Sequence, residues 1–450
     1  MTTAPNILIR GTRQTETLSL HDFSFTEADI PQSTDPKMTA YRQAAWETYK
    51  KLPFPTLHDE AWRRTDIRKI DFSRLTLSTD GGGKPVELPG ELLASLTSET
   101  TAGQIILYPD QSIISLGEEL KMKGVLFTDW QTAERDYADL LAKVMGKVVR
   151  PEDGKFAALA SAMAQTGIFL YVPAGVKLST PIHSIFWGDD CAAANFTHVV
   201  VCLEPGSSVT YVHESASQTT DGDPAFHNGL VEIKIGEGAS LQFVELQSLG
   251  QNVDNITHER AVLDRDANLE WIFGALGSRL TKNFSEIDLA GQGSTAKFSG
   301  FYFADGLQHF DHDSQQNHLA PNTTSDLLFK GVVKDHSHSV WQGMIHVDPV
   351  AVKTDGYQSN RNLILSPDAR ADSIPGLEIL ANDVRCTHGA TVGKIDNEQI
   401  FYLKSRGIPE KEAVRLIVEG FFEPIMQRIP FEEVRERFQN AIHQKIASEG

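Results

Sequence analysis

Cysteine is scarce: Cys191, Cys202 and Cys386 are the three among 450 residues. That excludes a disulfide-stapled scaffold, and so small and widely spaced a set reads as reduced thiols of a cytosolic protein. No C-x-x-C pair occurs, so neither a ferredoxin-type cluster nor a thioredoxin-type site is encoded. Positive charge is also short. The chain has 41 Lys and Arg against 60 Asp and Glu, a net charge of −19. Such a chain repels phosphate backbones and anionic headgroups, which disfavours nucleic acid and membrane surfaces as partners. No window holds 18 uninterrupted apolar residues, so no membrane span is expected. Met1–Arg10 lacks a basic segment followed by a long apolar stretch, so no secretion signal is expected and the cytoplasm is the expected location. Phosphate loops are missing too: there is no G-x-x-x-x-G-K-[ST], no G-x-G-x-x-G opening a helix, and no G-x-S-x-G elbow. These absences argue against a self-contained enzyme and against a nucleotide site in this chain.

Apolar residue types make up 40% of the chain and 34 glycines add to them. That suffices for sizeable cores in two to four domains of roughly 100–200 residues each. Residues 1–85 read as a polar, loosely ordered arm over 1–35 followed by helical segments. Met38, Tyr41, Ala45, Tyr49 and Leu52 share one helix face, which Pro53 and Pro55 end. A second short helical stretch is predicted over 58–70. Residues 86–167 read as entry strands around a helical insert over 132–149, with an Ala-rich helix over 155–165. Residues 168–396 are β-rich. Within them a turn followed by an alternating strand recurs about every 30 residues, at Gly175, Gly206, Gly238, Asp266 and Gly293. Units that cannot bury their own inner face must stack, so the repeat predicts a β-solenoid. A large antiparallel sandwich, with its own closely spaced turns, is the alternative. Residues 397–450 turn helical again: a helix stopped at Gly407, a second opened by Pro409 and running to about Arg428, and a third over 431–447.

Three clusters could carry chemistry. In Asp383-Val-Arg-Cys386-Thr-His388-Gly389 a thiol and an imidazole two residues apart share one side of a strand. Thiolate suits iron, copper or zinc, and imidazole is a common ligand. Two ligands do not close a metal site, so others would have to come from elsewhere or from a partner chain. A buried Cys beside a structural His fits the same residues. His309, His312 and His318 lie among aspartates. His309 and His312 would share a face in a helix but not in a strand, and a polar turn explains them as well. His336 and His338 would share a strand face by alternation, as would solvated edge residues.

Several segments carry a resemblance. They are Leu328-Phe-Lys330-Gly331-Val-Val; Lys353-Thr354-Asp355-Gly-Tyr-Gln358-Ser-Asn360-Arg-Asn362-Leu; Cys386-Thr-His388-Gly389-Ala390-Thr391; and Phe401-Tyr402-Leu403-Lys-Ser-Arg406-Gly407. Near the N-terminus Leu52-Pro53-Phe-Pro55-Thr56 and Glu60-Ala-Trp62-Arg63 add to them. With these the chain resembles the SufB/SufD family of iron–sulfur cluster assembly proteins across most of residues 40–430. Cys386-Thr-His388-Gly389 resembles the SufD branch rather than SufB. It departs in Asn382-Asp383, where two acidic residues are frequent, and in His336 and His338.

The resemblance implies a mainly β fold: a right-handed parallel β-helix core flanked by α-helical N- and C-terminal domains. It implies a non-catalytic scaffold that pairs with SufB through the β-helix end and docks the ATPase SufC through its C-terminal helices. Phe421, Phe422 and Ile425 are the docking residues expected there. ATP hydrolysis would belong to SufC. A role in iron acquisition and complex stability is implied. So is a transient iron–sulfur cluster at the SufB–SufD interface, with His388 and secondarily Cys386 among its ligands. A flavin on the complex and a homodimer in the absence of SufB are both compatible with it.

Overall fold

The recurring turn residues set the architecture. In the computed structural model, which describes residues 22–77, 101–109, 111–188, 193–219, 223–429 and 431–448, Gly175, Gly206, Gly238, Asp266 and Gly293 all have positive φ, between 53° and 75°. That backbone region costs glycine little and aspartate modestly, which is why these residue types recur there. Asn322 and Lys353, at 58° and 61°, extend the row. The turns stack through their amides. Gly175 N–H donates to Pro205 O, Gly206 N–H to Glu237 O and Gly238 N–H to Arg265 O, and the pattern runs on to Asn322 N–H and Val352 O.

The strands, in chain order, begin with four short ones: β1 (Thr76–Leu77), β2 (Gly103–Leu107), β3 (Ser112–Leu116) and β4 (Leu126–Asp129). The repeat then supplies β5 (Thr166–Val172), β6 (Ile182–Trp187), β7 (Ala193–Leu203), β8 (Ser208–Ala216), β9 (Ala225–Ile235), β10 (Ser240–Ser248), β11 (Val253–Leu263) and β12 (Asn268–Ala275). It continues with β13 (Leu280–Leu289), β14 (Thr295–Ala304), β15 (His309–His318), β16 (Thr324–Val333), β17 (His338–Val347), β18 (Asp355–Ile364), β19 (Arg370–Ile379) and β20 (Arg385–Lys394). The odd strands β5–β19 form one parallel sheet and the even strands β6–β20 the other. One odd and one even strand make a coil, and about 8 coils make a parallel β-solenoid. The sandwich alternative is excluded, because every pairing between successive coils is parallel.

Alternation sorts the side chains. Inward residues of both sheets form one core, including Phe243, Trp271, Phe298 and Phe329. Their rings stack along the axis, Phe243 to Trp271 at 5.6 Å and Trp271 to Phe298 at 4.9 Å. Each such pair contributes about 0.5–1.5 kcal/mol beyond its buried area.

The helices are α1 (Pro36–Lys51), α2 (Glu118–Met122), α3 (Trp130–Asp136), α4 (Ala138–Leu141), α5 (Lys155–Met163), α6 (Asn397–Ser405), α7 (Glu410–Met426) and α8 (Glu432–Ala447). Four details differ from the sequence reading. Within the arm, residues 22–35 pack: Phe23 and Ile30 are buried, and Phe23 lies 4.6 Å from the Phe72 ring. The stretch over 58–70 forms 3-10 turns at Glu60–Trp62 and Ile67–Lys69 instead of a helix, and Asp66 accepts from the backbone N–H of Arg68, two residues on. The insert over 132–149 breaks at Tyr137. Its final turns run free of helix because the Glu232 carboxylate accepts the N–H groups of Gly146, Val148 and Val149. Pro409 is the residue before α7, not its first.

Helices α7 and α8 lie on the outer face of the even sheet. Phe422, Ile425, Val434 and Phe438 pack against Val244, Leu246, Phe301 and Phe303. Lys330 Nζ donates to Phe421 O at 2.6 Å, and Arg437 and Lys445 pair with Glu214 and Asp305. No helix among the described residues is long and apolar enough to cross a membrane.

Candidate functional site

The solenoid is open at its C-terminal end. β19 and β20 are the last strands of their sheets, so neither has an outer strand partner among the described residues. An unpaired parallel edge is a template for another chain. Leu377, Ile379, Leu380 and Val392 are exposed on this coil, and Val350 and Val352 on the adjoining loop.

Cys386 and His388 sit on β20, directly over Gly356 and Gln358 of β18. Gln358 faces inward: its Nε2 donates to Gly376 O at 2.8 Å across the lumen. Alternation therefore aims Cys386 and His388 at the mouth of the lumen. Cys386 is half-buried beside Ile345, Val347, Ala351 and Val384. Burial pushes its thiol up, Asp355 adds to this, and the Gly356 backbone N–H counters it. His388 is exposed. Among the described residues no three His, Cys, Asp or Glu side chains converge to hold a metal ion. Cys386 and His388 thus lie two residues apart on one face of an edge strand.

The other clusters are dispersed. His312 points inward, stacked on Tyr302, and burial pushes it down to about 3. His318 is inward too, bonded to Thr323 and Ser325 and pushed down by burial to about 4. His309 points outward and bonds Thr65, and burial pushes it down to about 4. His336 lies in the turn before β17, so it does not share a strand face with His338. The latter bonds Asp372 at 2.9 Å. Of the residues expected to dock a partner, Phe422 and Ile425 are fully buried in this chain's own core and Phe421 is partly covered. Among the described residues, the large hydrophobic side chains exposed in the tail are Phe401, Tyr402 and Leu416. Cys191 lies outside the described residues.

The floor of the mouth is polar. Gln358, Asn360 and Asn362 are fully or almost fully buried and line the inner face of β18. Asn362 Nδ2 donates to Asn360 Oδ1 at 2.6 Å, and Tyr302 OH donates to Asn362 Oδ1 at 2.6 Å. Three amides at two-residue spacing in a strand were the available signal.

Comparison with known proteins agrees with this architecture. A family model described as "SUF system FeS cluster assembly, SufBD core domain" matches residues 186–421, and one described as "SufBD protein N-terminal region" matches residues 14–183. The Bacillus subtilis iron-sulfur cluster assembly protein SufD is 32% identical over 409 residues, 90% of this chain and 93% of that protein. SufB of the same organism is 34% identical over 411 residues, 88% and 86% of the two chains. A SufBD family protein of Staphylococcus saprophyticus is 31% identical over the same length. With both family models matched and identity above 30% along nearly the whole chain, the protein belongs to the SufB/SufD family of the SUF iron–sulfur cluster assembly system.

Proposed function

We propose that this chain is a SufD-type scaffold subunit, working in the cytoplasm with SufB and the ATPase SufC. One observation carries the reading: Cys386 and His388 sit side by side at an open solenoid end whose edges are apolar and unpaired. A cluster is the cargo of such a site, held transiently while SufB supplies the missing ligands. His388 is the principal donor from this side and Cys386 the secondary one. Iron acquisition and complex stability are the subunit's contributions, and ATP hydrolysis stays with SufC. Because Phe422 and Ile425 are committed to the core, SufC docks on the exposed α6–α7 surface around Phe401, Tyr402 and Leu416.

The test is co-expression with SufB and SufC followed by anaerobic cluster reconstitution. A three-component complex is expected, and His388→Ala should assemble normally while losing cluster formation. Cys386→Ala should have a milder effect. A His388→Ala complex that builds clusters at the wild-type rate overturns the ligand assignment. Recovery of self-associated chain alone overturns the heteromeric one.

A further inference from the structure

Carboxylates outnumber Lys and Arg by 60 to 41 in this chain, and the buried cations Arg42, Arg260 and Lys282 each pair with one. Three cations on the outer face of the even sheet do not. Lys330 of β16 and Arg361 of β18 are paired in register, so alternation puts both side chains on the face that α7 packs against. Arg428, just beyond α7, donates to Ser299 Oγ on β14. Ser299 stands level with Leu328, two residues before Lys330. Lys330 Nζ donates to Phe421 O at 2.6 Å and lies 5.0 Å from the centre of the Phe421 ring, both of them neutral groups. Among the described residues none of the three cations has a carboxylate partner. Lys330 is only 7% exposed, and a lysine so buried is normally paired. Burial pushes its pKa down, and the charges of Arg361 and Arg428 push it down further. Arg361 is exposed and Arg428 half-buried, so the group is open to solvent on the Arg361 side.

We propose that Lys330, Arg361 and Arg428 hold a small oxyanion of the phosphate class, which supplies the counter-charge that the chain itself omits. Guanidinium forks match the paired oxygens of such an ion, and the ammonium adds a point charge with two N–H donors to spare. A polyanion does not fit. The net charge of −19 repels a long phosphate chain, whereas a single ion is screened from carboxylates more than about 10 Å away at 0.1 M salt. The site lies on the outer face of the sheet and not in the lumen, so it does not depend on the reading of Cys386 and His388.

The test uses the isolated full-length chain near neutral pH in chloride, with inorganic phosphate added at constant ionic strength. Arginine Nε–H signals are followed in 1H–15N spectra, with Arg361→Gln and Arg428→Lys assigning the two that matter. Both signals should move along one saturable curve, and acetate should bind about 10-fold more weakly or worse, since a single carboxylate offers fewer charge-assisted bonds. Lys330→Met keeps the buried stem and should weaken phosphate binding about 10-fold or more. Arg361→Gln changes an exposed side chain and should fold as the wild type does, so the claim stays testable if Lys330→Met fails to fold. In Arg361→Gln the Arg428 curve should weaken by a similar factor. Phosphate should also raise the thermal midpoint of the wild type more than that of Arg361→Gln. Glycerol phosphate separates the sources: binding equal to that of phosphate assigns the phosphoryl group of a larger molecule, and exclusion assigns the free ion. The proposal is overturned by the absence of a saturable shift, by movement of the Arg361 signal alone, which marks an adventitious ion only, by acetate binding as tightly as phosphate, or by wild-type affinity in Arg361→Gln.

Discussion

The two ends of the solenoid are finished in opposite ways. At the first coil the odd sheet is closed by antiparallel β4 against β5, and the even sheet by β2 and β3 beyond β6. Ile105, Leu107, Leu120 and Phe127 plug the lumen there, all buried in the main core. At the last coil no further strand pairs with β19 or β20 among the described residues, and the lumen is floored by amides on β18. Repeat proteins need capped ends to stay soluble. An end left uncapped, with exposed apolar edges over a polar floor, is what the proposed docking of another chain there would need.

The contrast predicts unequal costs for equal truncations. Phe127→Ala removes a ring that is 1% exposed and packs edge-on to Tyr211. It should cost about 3–5 kcal/mol, seen as a shifted urea or thermal midpoint. Leu377→Ala at the open end should stay within about 0.5 kcal/mol by the same measurement. Equal losses would mean the open coil is as integral to folding as the closed one.

A charge placed on the open edge should separate association from folding. Leu380→Asp and Val392→Asp replace exposed side chains, so thermal midpoints should hold. Binding to the partner subunit, or self-association where no partner is present, should weaken about 10-fold or more, because burying an unpaired carboxylate at an interface is costly. Unchanged binding by both variants would place the interface elsewhere.

Legibility in the sequence follows the same division. The middle coils could be read because each needs a residue tolerant of positive φ, and Gly206, Gly238 and Asp266 supply one at nearly constant spacing. The row then continues through Lys353, which no turn preference marks. The 58–70 stretch departs from a helix where Asp66 diverts the backbone into a local bond. The end of the 132–149 insert depends on Glu232, 83–86 residues further along the chain. Cys386 and His388 could be read as a strand pair. That they lie at an open lumen over an amide floor could not, because their neighbour Gln358 is brought beneath them only by coil stacking. Phe422 and Ile425 read as an amphipathic face without revealing that the face is already used by Phe301 and Val244.

The smallest predicted effect concerns protons in the closed part of the lumen. Glu245 and Glu259 are both fully buried. Glu259 accepts from Asn283 Nδ2 at 2.5 Å and Ser285 Oγ at 2.8 Å. Burial and the facing Glu259 push Glu245 well above the carboxylate range, and burial pushes Glu259 up to about 7. The folded chain therefore keeps a proton on this pair to higher pH than the unfolded chain does. Folded pKa values above the unfolded ones mean the native state binds more protons, so stability from this pair is full below about 4.5 and declines as pH rises through about 7. The inward histidines act oppositely. Burial pushes His213 down to about 3 and His227 to about 4, so their contribution is lost as pH falls below about 6.5. Together they leave a stability maximum near mildly acidic to neutral pH. Glu245→Gln keeps the shape and supplies a permanent donor to Glu259. It should stabilise the chain by about 1 kcal/mol above pH 7 relative to wild type and leave the acid limb unchanged. The open end is different: burial pulls His346 down, but hydrogen bonds to Asp348 and Glu378 more than offset it, so its contribution fades on the alkaline side. Denaturant midpoints of wild type and Glu245→Gln across pH 5–9 separate the two ends, and parallel curves would show that the lumenal acid pair is not what limits alkaline stability.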